Sequence, residues 1–305
     1  MNVTLRQLRV FEAVGRLKSY TRAAEELHLS QPGVSMQIKQ LEENLGLALF
    51  EQLGKKIFLT EAGHEVYQAS RIVDNQLDET EQILEDIKGV RRGRLMIAVA
   101  STANYFAPRL LAAFSARHEA VTVNLDVTNR EGLISHLDAN DSDMVIMGLP
   151  PESMNLEAEA FMDNPLVVIA PPDHTLAGEK AISMQRLQEE TFIMREPGSG
   201  TRIAMERFFA EQGAQLTTAM EMSSNEAIKQ AVQAGLGLGI VSLHTLELEL
   251  EMKRLVVLDV ESFPILRHWY IVQRKGKRLS PVARAFKDFV LKESGKILHY
   301  PALRT

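Results

Sequence analysis

From Thr4 to Leu17 the apolar residues Leu5, Leu8, Phe11, Ala13 and Val14 recur at spacings that make one face of a helix. Ser19 or Thr21 can cap a second, short helix running through Leu27, and a tight turn follows at His28 and Leu29. Ser30 suits the N-cap of a third helix, with Pro32 in its first turn, where a missing N–H is tolerated. Val34, Ile38, Leu41 and Leu45 then follow at helical steps as a core-facing stripe, and Gly46 is placed to end the helix. Ala48 to Thr60 reads as two short strands around Leu53, Gly54, Lys55 and Lys56, a hairpin with a basic tip.

The third helix raises a chemical question, because the side away from its stripe is nearly uncharged. Pro32, Met36 and Lys39 point outward, flanked by Ser35 and Gln40, whereas a merely solvated face carries more Lys and Glu, as at Glu42 and Glu43. A surface laid against base edges needs amide and hydroxyl groups, an apolar contact for thymine and a small residue such as Gly33 for close approach. An ordinary trihelical interaction module is the plainer reading of the pattern alone. The basic hairpin beside it favours a wing that touches phosphates or the minor groove.

Thr60 can cap a long helix from Glu61 to about Lys88, in which Val66, Ala69, Val73, Thr80, Ile83 and Ile87 fall near a seven-residue repeat, interrupted by Gln76. Such a seam suits pairing of two chains, whose heads then read half-sites about 34 Å or more apart. Covering the chain's own C-terminal half is the alternative. The basic run Arg91, Arg92 and Arg94 marks the boundary.

Beyond Gly93 short apolar runs alternate with amphipathic helices: Leu95 to Ala100, Val121 to Val127, Met144 to Leu149, Leu166 to Ala170, Thr191 to Met194, Leu238 to Val241 and His268 to Val272. That alternation predicts parallel sheets in an α/β architecture, with ligands beyond the carboxyl ends of strands. Ser101 and Thr102 follow the first strand and precede a helix, a setting that suits an anion. In "EPGSGTR", Gly198 and Gly200 allow close backbone approach, Ser199 and Thr201 add hydroxyls, and Arg202 supplies a fixed charge. A capped glycine-rich turn accounts for the same residues equally well. Thr128, Asn129 and Asn225 are further candidates. The G-x-G-x-G of "AGLGLGIVS" ends a helix and leads into a strand, the wrong context for a dinucleotide fingerprint.

Composition narrows the picture. At 305 residues the chain exceeds one core and predicts two or three domains. The net charge of −6 divides into +2 over residues 1–60 and −8 beyond, so nucleic-acid contact is confined to the N-terminal part. The absence of cysteine excludes disulfides, thiolate metal sites and cysteine nucleophiles. There is no run of about 20 apolar residues to span a membrane, and the N-terminal stretch lacks the features of a secretory signal. A cytoplasmic protein with no membrane partner is expected. Eight scattered histidines, no H-E-x-x-H, no G-x-S-x-G and no Walker lysine argue against an enzyme, and no cofactor is expected.

The run "LRQLRVFEAVGRLKSYTRAAEELHLSQPGVSMQIKQLEENLGLALFEQLGKKIFLTEAG" resembles the DNA-binding head of LysR-type transcriptional regulators. The stretches Gln52 to Thr60 and Glu196 to Arg202 are most similar to regulators of carbon-fixation (RuBisCO) operons. The resemblance implies an N-terminal all-α winged helix-turn-helix over 1–60, a long linker (dimerisation) helix over 61–90, and a C-terminal α/β two-lobed, periplasmic-binding-protein-like effector domain. Lobe I is expected at 91–162 and 269–305, and lobe II at 163–268. By position, Gln31, Pro32, Ser35, Met36 and Gln37 are expected at base edges or in the groove, Lys39, Lys55 and Lys56 on the DNA backbone, and Thr21 and Ser30 among the remaining contacts. Two departures stand out: many members have arginine at Gln52 and a cation at Met36, so the Met36 contact here becomes apolar and the sequence preference shifts. The resemblance further implies an activator that binds an operator as a dimer or tetramer, with RNA polymerase as a further partner. Its effector is a small anionic metabolite, with phosphorylated sugars and NADPH as classes, held between the lobes and moving the paired heads through the linker helices. A metabolite-binding α/β protein with enzymatic activity is the rival.

Ser35→Glu directs a carboxylate at the groove and is expected to abolish specific operator binding; a footprint that still shows a protected operator contradicts the assignment.

Overall fold

The N-terminal three helices are α1 (Leu5–Leu17), α2 (Tyr20–Glu26) and α3 (Gln31–Leu45), followed by the hairpin β1 (Phe50–Leu53) and β2 (Lys56–Leu59) and the 27-residue helix α4 (Glu61–Ile87). The structure, a computed structural model, describes residues 3–54, 56–87 and 93–298. Lys55, Arg91 and Arg92 therefore lie outside the described residues. The chain divides into two compact units, one built on these elements together with Ala139–Asp141 and one on the rest of the chain from residue 93 onward.

In the first unit Phe11, Val14, Val34, Ile38, Leu41 and Leu49 form the buried core. Thr4 caps α1 reciprocally with Gln7, so the side-chain oxygen of the buried Gln7 is satisfied, and the buried face includes Gln7, Val10, Phe11 and Val14. Leu5, expected on that face, is instead about half exposed, because it sits in the first turn beyond the reach of the core. Ser19, and not Thr21, caps α2 by accepting the Arg22 N–H. The hairpin is tied to α3 by Glu42, whose carboxylate accepts from the Leu49 and Phe50 N–H groups, and by Phe50 against Phe11 at 5.0 Å between ring centroids. Val66 and Tyr67 pack against the same core, so the linker seam begins within the head and not in a free coiled coil. Among the described residues, the large apolar side chains that α4 leaves exposed are Ile72 and Leu84, neither of them in the predicted repeat.

The second unit has two five-stranded sheets. Its elements are β3 (Gly93–Ala100), a 3₁₀ turn (Ser101–Tyr105), α5 (Ala107–Ser115), β4 (Val121–Thr128), α6 (Arg130–Ala139), β5 (Met144–Met147), β6 (Leu156–Asp163), β7 (Leu166–Ala170), α7 (Met184–Leu187), β8 (Thr191–Arg195), α8 (Gly200–Glu211), β9 (Thr217–Met222), α9 (Asn225–Gln233), β10 (Leu238–Ser242), α10 (Glu247–Glu251), β11 (Val256–Val257), β12 (His268–Arg274) and α11 (Pro281–Ile297). The first sheet has the order β4-β3-β5-β12-β6 and the second β11-β7-β10-β8-β9. Helices α5 and α11 cover one face of the first sheet and α6 the other. In the second sheet α8 and α9 pack on opposite faces.

Purely parallel sheets, the expectation from alternation, are not what forms. β12 is antiparallel to β5 and β6, and β7 to β10 and β11. Each sheet receives a strand from a chain segment arriving from the other, and that strand enters reversed. Strands β6 and β9 escaped the sequence reading because they are exposed sheet edges whose residues, "LEAEAFMD" and "TTAMEM", lack an apolar run.

At Gly63, in the first turn of α4, an added Cβ meets the Leu49 carbonyl oxygen at 2.1 Å, a backbone atom with no rotamer to yield. Gly63→Ala is expected to destabilise the N-terminal unit by about 1–3 kcal/mol, read as a lowered thermal transition; an unchanged transition contradicts this packing.

Candidate functional site

On α3 the Ser30 hydroxyl accepts the Gly33 N–H at 3.2 Å and so sets where the helix begins. With Val34, Ile38 and Leu41 buried, the opposite side presents Gln31, Pro32 and Met36, the last 63% exposed. Gln31 donates its amide to the Ser35 hydroxyl at 3.0 Å. Ser35 and Gln37 lie on the half-buried flanks, and Lys39 stands outward 3.8 Å from Glu43. Thr21 is exposed on α2. Lys56 is exposed at the start of β2, while the Gln52 amide turns back to donate to the Gly54 carbonyl at 3.0 Å.

In the second unit a cavity of about 270 Å³ opens where the ends of β3, β5 and β8 meet the entry to β12. Of the residues singled out by sequence, Ser101, Thr102, Asn129, Ser199, Gly200 and Thr201 line it. Two helix starts face it. Asn129 caps α6 by accepting the Gly132 N–H at 2.9 Å, and Ser199 caps α8 by accepting the Thr201 N–H at 3.3 Å. Asn225 is buried beneath, donating to Thr102 at 3.0 Å.

Besides Asn225, three singled-out residues do not line the cavity. The Arg202 guanidinium turns away, donating to Glu206, Glu221 and the Arg195 carbonyl, and its pKa is raised chiefly by the Glu206 and Glu221 hydrogen bonds. It borders a separate hollow with Met205 and Phe209. The Thr128 side chain packs where a Cβ on Gly132 would lie, and Gly198, in the left-handed region at φ +82°, serves the turn before α8.

The cations that do line the cavity are Arg130, Arg195, Arg207 and Arg267. Arg195, the last residue of β8, is 3% exposed; it donates to Asn225 at 3.0 Å and to Ser101 at 3.4 Å. Arg267 donates to the Gly200 carbonyl at 2.8 Å, while its Nε has no partner. Burial, with a smaller contribution from Arg207, pushes its pKa down to about 10. Arg130 donates to the Leu149 carbonyl, and burial lowers its pKa too. Among the described residues no carboxylate pairs with Arg130 or Arg267. Sequence reading missed these cations because Arg202 closes the glycine motif, while Arg195 looks like the end of an apolar run and Arg267 like part of a loop. The available signal was a lone arginine terminating "TFIM".

Residues 5–64 match the family model for bacterial regulatory helix-turn-helix proteins of the lysR family, and residues 88–295 that for the LysR substrate binding domain. The chain belongs to the LysR family of transcriptional regulators. It is 65% identical to a RuBisCO operon transcriptional regulator of Allochromatium vinosum, over 97% of this chain and 98% of that one. It is 47% identical to the transcriptional activator CmpR of Synechocystis, over 95% of each. The Synechocystis CcmR regulatory domain, solved in complex with 2-PG, superposes with a TM-score of 0.64 at 44% identity, covering 66% of this chain and 96% of that one. A full-length OxyR point variant from Pseudomonas aeruginosa shares the fold at a TM-score of 0.74 and 22% identity, over 95% and 94% of the two chains.

Thr102→Val removes the acceptor of the buried Asn225 amide and leaves that donor unmatched. A loss of about 1–3 kcal/mol from the C-terminal unit is expected by thermal or denaturant unfolding; equal stability contradicts the bond.

Proposed function

We propose that this regulator activates a carbon-fixation (RuBisCO) operon, and that a small anionic metabolite held in the cavity sets its operator binding. The observation that carries the effector reading is the pair Arg130 and Arg267: partly buried cations, facing one cavity, without a carboxylate between them. Removing a guanidinium from water is costly unless an anion replaces the lost solvation. The starts of α6 and α8 add N–H groups of the same polarity. A phosphate or carboxylate of a small metabolite satisfies both demands, and 2-PG, the compound with CcmR, is the first probe.

For the DNA side, Gln31, Pro32, Ser35, Met36 and Gln37 read base edges, Lys39, Lys55 and Lys56 touch the backbone, and Thr21 and Ser30 complete the contacts. The chain works in the cytoplasm as a dimer or tetramer, with RNA polymerase as a further partner, and as a regulator rather than a catalyst. Lobe I comprises 91–162 and 269–305, and lobe II 163–268.

The test is titration of 2-PG into the full chain with and without operator DNA. Arg267→Gln is expected to weaken 2-PG binding at least about tenfold, the worth of one charge-assisted hydrogen bond, while Arg202→Ala stays within about twofold. Equal loss in both variants, or none in Arg267→Gln, removes Arg267 from the site.

A further inference from the structure

The four arginines of the cavity are not equivalent. Glu196 grips Arg195 along one edge, accepting from Nε at 2.7 Å and Nη2 at 2.9 Å. The other edge donates to Asn225 and Ser101. A guanidinium has five N–H donors, and protein groups already engage four of them here. The most buried cation on the cavity wall is thus both neutralised and nearly spent, whereas Arg130 and Arg267 keep their charge uncompensated.

That asymmetry bears on which anions the cavity accepts. With its carboxylate withdrawn, Arg195 beside the hydroxyls of Ser101 and Thr102 and the start of α8 resembles a general phosphate trap. With Glu196 in place, behind Arg195 and not itself on the cavity lining, an anion approaching Arg195 meets a guanidinium whose charge is already balanced and has one N–H left to claim. A single-headed anion gains little there. A ligand with a second polar group that reaches Arg130 or Arg267 recovers the difference. Discrimination by an installed repulsive group is a general route to specificity.

We infer that Glu196 is the specificity-determining residue of the cavity, a built-in counter-anion that keeps inorganic phosphate out. The inference rests on the effector reading above. Its test is calorimetric titration of the full chain with inorganic phosphate and, separately, with 2-PG, at two ionic strengths. In Glu196→Gln, phosphate is expected to bind about tenfold more tightly and with a steeper salt dependence, and the preference for 2-PG over phosphate to shrink accordingly. Glu196→Asp, which restores the charge, is expected to return phosphate affinity towards that of the unaltered chain. Phosphate affinity that is unchanged or lower in Glu196→Gln overturns the proposal, and a merely loosened structure does not tighten a ligand. Should Glu196→Gln fail to fold, competition on the unaltered chain decides: phosphate is expected to displace 2-PG only weakly, and displacement at matching concentrations overturns the proposal. If the unaltered chain takes up no 2-PG at all, the effector reading falls, while the phosphate titration of Glu196→Gln still settles the role of Glu196.

Discussion

The polypeptide passes between the two sheets of the effector half twice, and the two passages are bonded to each other. The Asn164 N–H donates to the Arg267 carbonyl at 2.7 Å, and Leu166 and Ile265 exchange both backbone hydrogen bonds at 3.0 Å. The Asn164 side chain in turn accepts from Ser242 at 2.8 Å. This paired crossing imposes the mixed topology, because each returning strand runs against its new neighbours. It also fixes Arg267 on a doubly bonded segment, so that its guanidinium is held at the cavity by backbone rather than by a free loop. The cavity is therefore a product of connectivity: its cations arrive from strand ends and crossings that the sheets position independently.

Electrostatics then gives the cavity its character. The chain as a whole is acidic, yet the residues lining the cavity include four arginines and no Asp or Glu. Surface carboxylates instead absorb the arginines that point outward, as Glu206 and Glu221 do for Arg202. Exposed pairs of that kind contribute little to stability. Their effect is one of sorting, since an arginine so engaged is not available to a ligand. Arg130 and Arg267 lack such partners, and burial depresses the pKa of both. Among the described residues, the protein relieves that desolvation only through one carbonyl acceptor each, Leu149 for Arg130 and Gly200 for Arg267.

Much of this architecture was legible in the residues. The caps at Ser30 and Gly46, the stripe of α3, the basic hairpin and the buried strands all rest on local signals that tertiary context does not override. Edge strands β6 and β9 were illegible because their faces are largely exposed and carry no apolar run. Among cavity residues, hydroxyls and glycines at strand-to-helix turns could be read, since capping fixes their place. The arginines could not, because the direction of a long side chain depends on which carboxylates the fold brings near. Arg202 and Arg195 are seven residues apart and equally basic; one finds Glu206 a helical turn away and leaves, the other is held by Glu196, Asn225 and Ser101 and stays. Ser19 and Thr21 both qualify by sequence as the α2 cap, an ambiguity of two residues that only the backbone resolves, in favour of Ser19.

The α3 surface proposed to meet DNA obeys a different balance. A chain of net charge −6 is repelled by DNA at long range, and its first sixty residues supply only a small positive excess. Lys39, the one lysine on α3, already stands near Glu43. Phosphate contacts alone thus provide little affinity, and with few counterions released the binding depends less steeply on salt than in strongly basic heads. The remainder has to come from the groove. The face proposed to read DNA suits that: Met36 presents a flexible apolar end at its centre, and the Gln31 amide is held by Ser35, a preorganisation that would reduce the entropy lost on contact. A head with weak general attraction and a preorganised reading face gains its affinity chiefly at sites whose base edges match it.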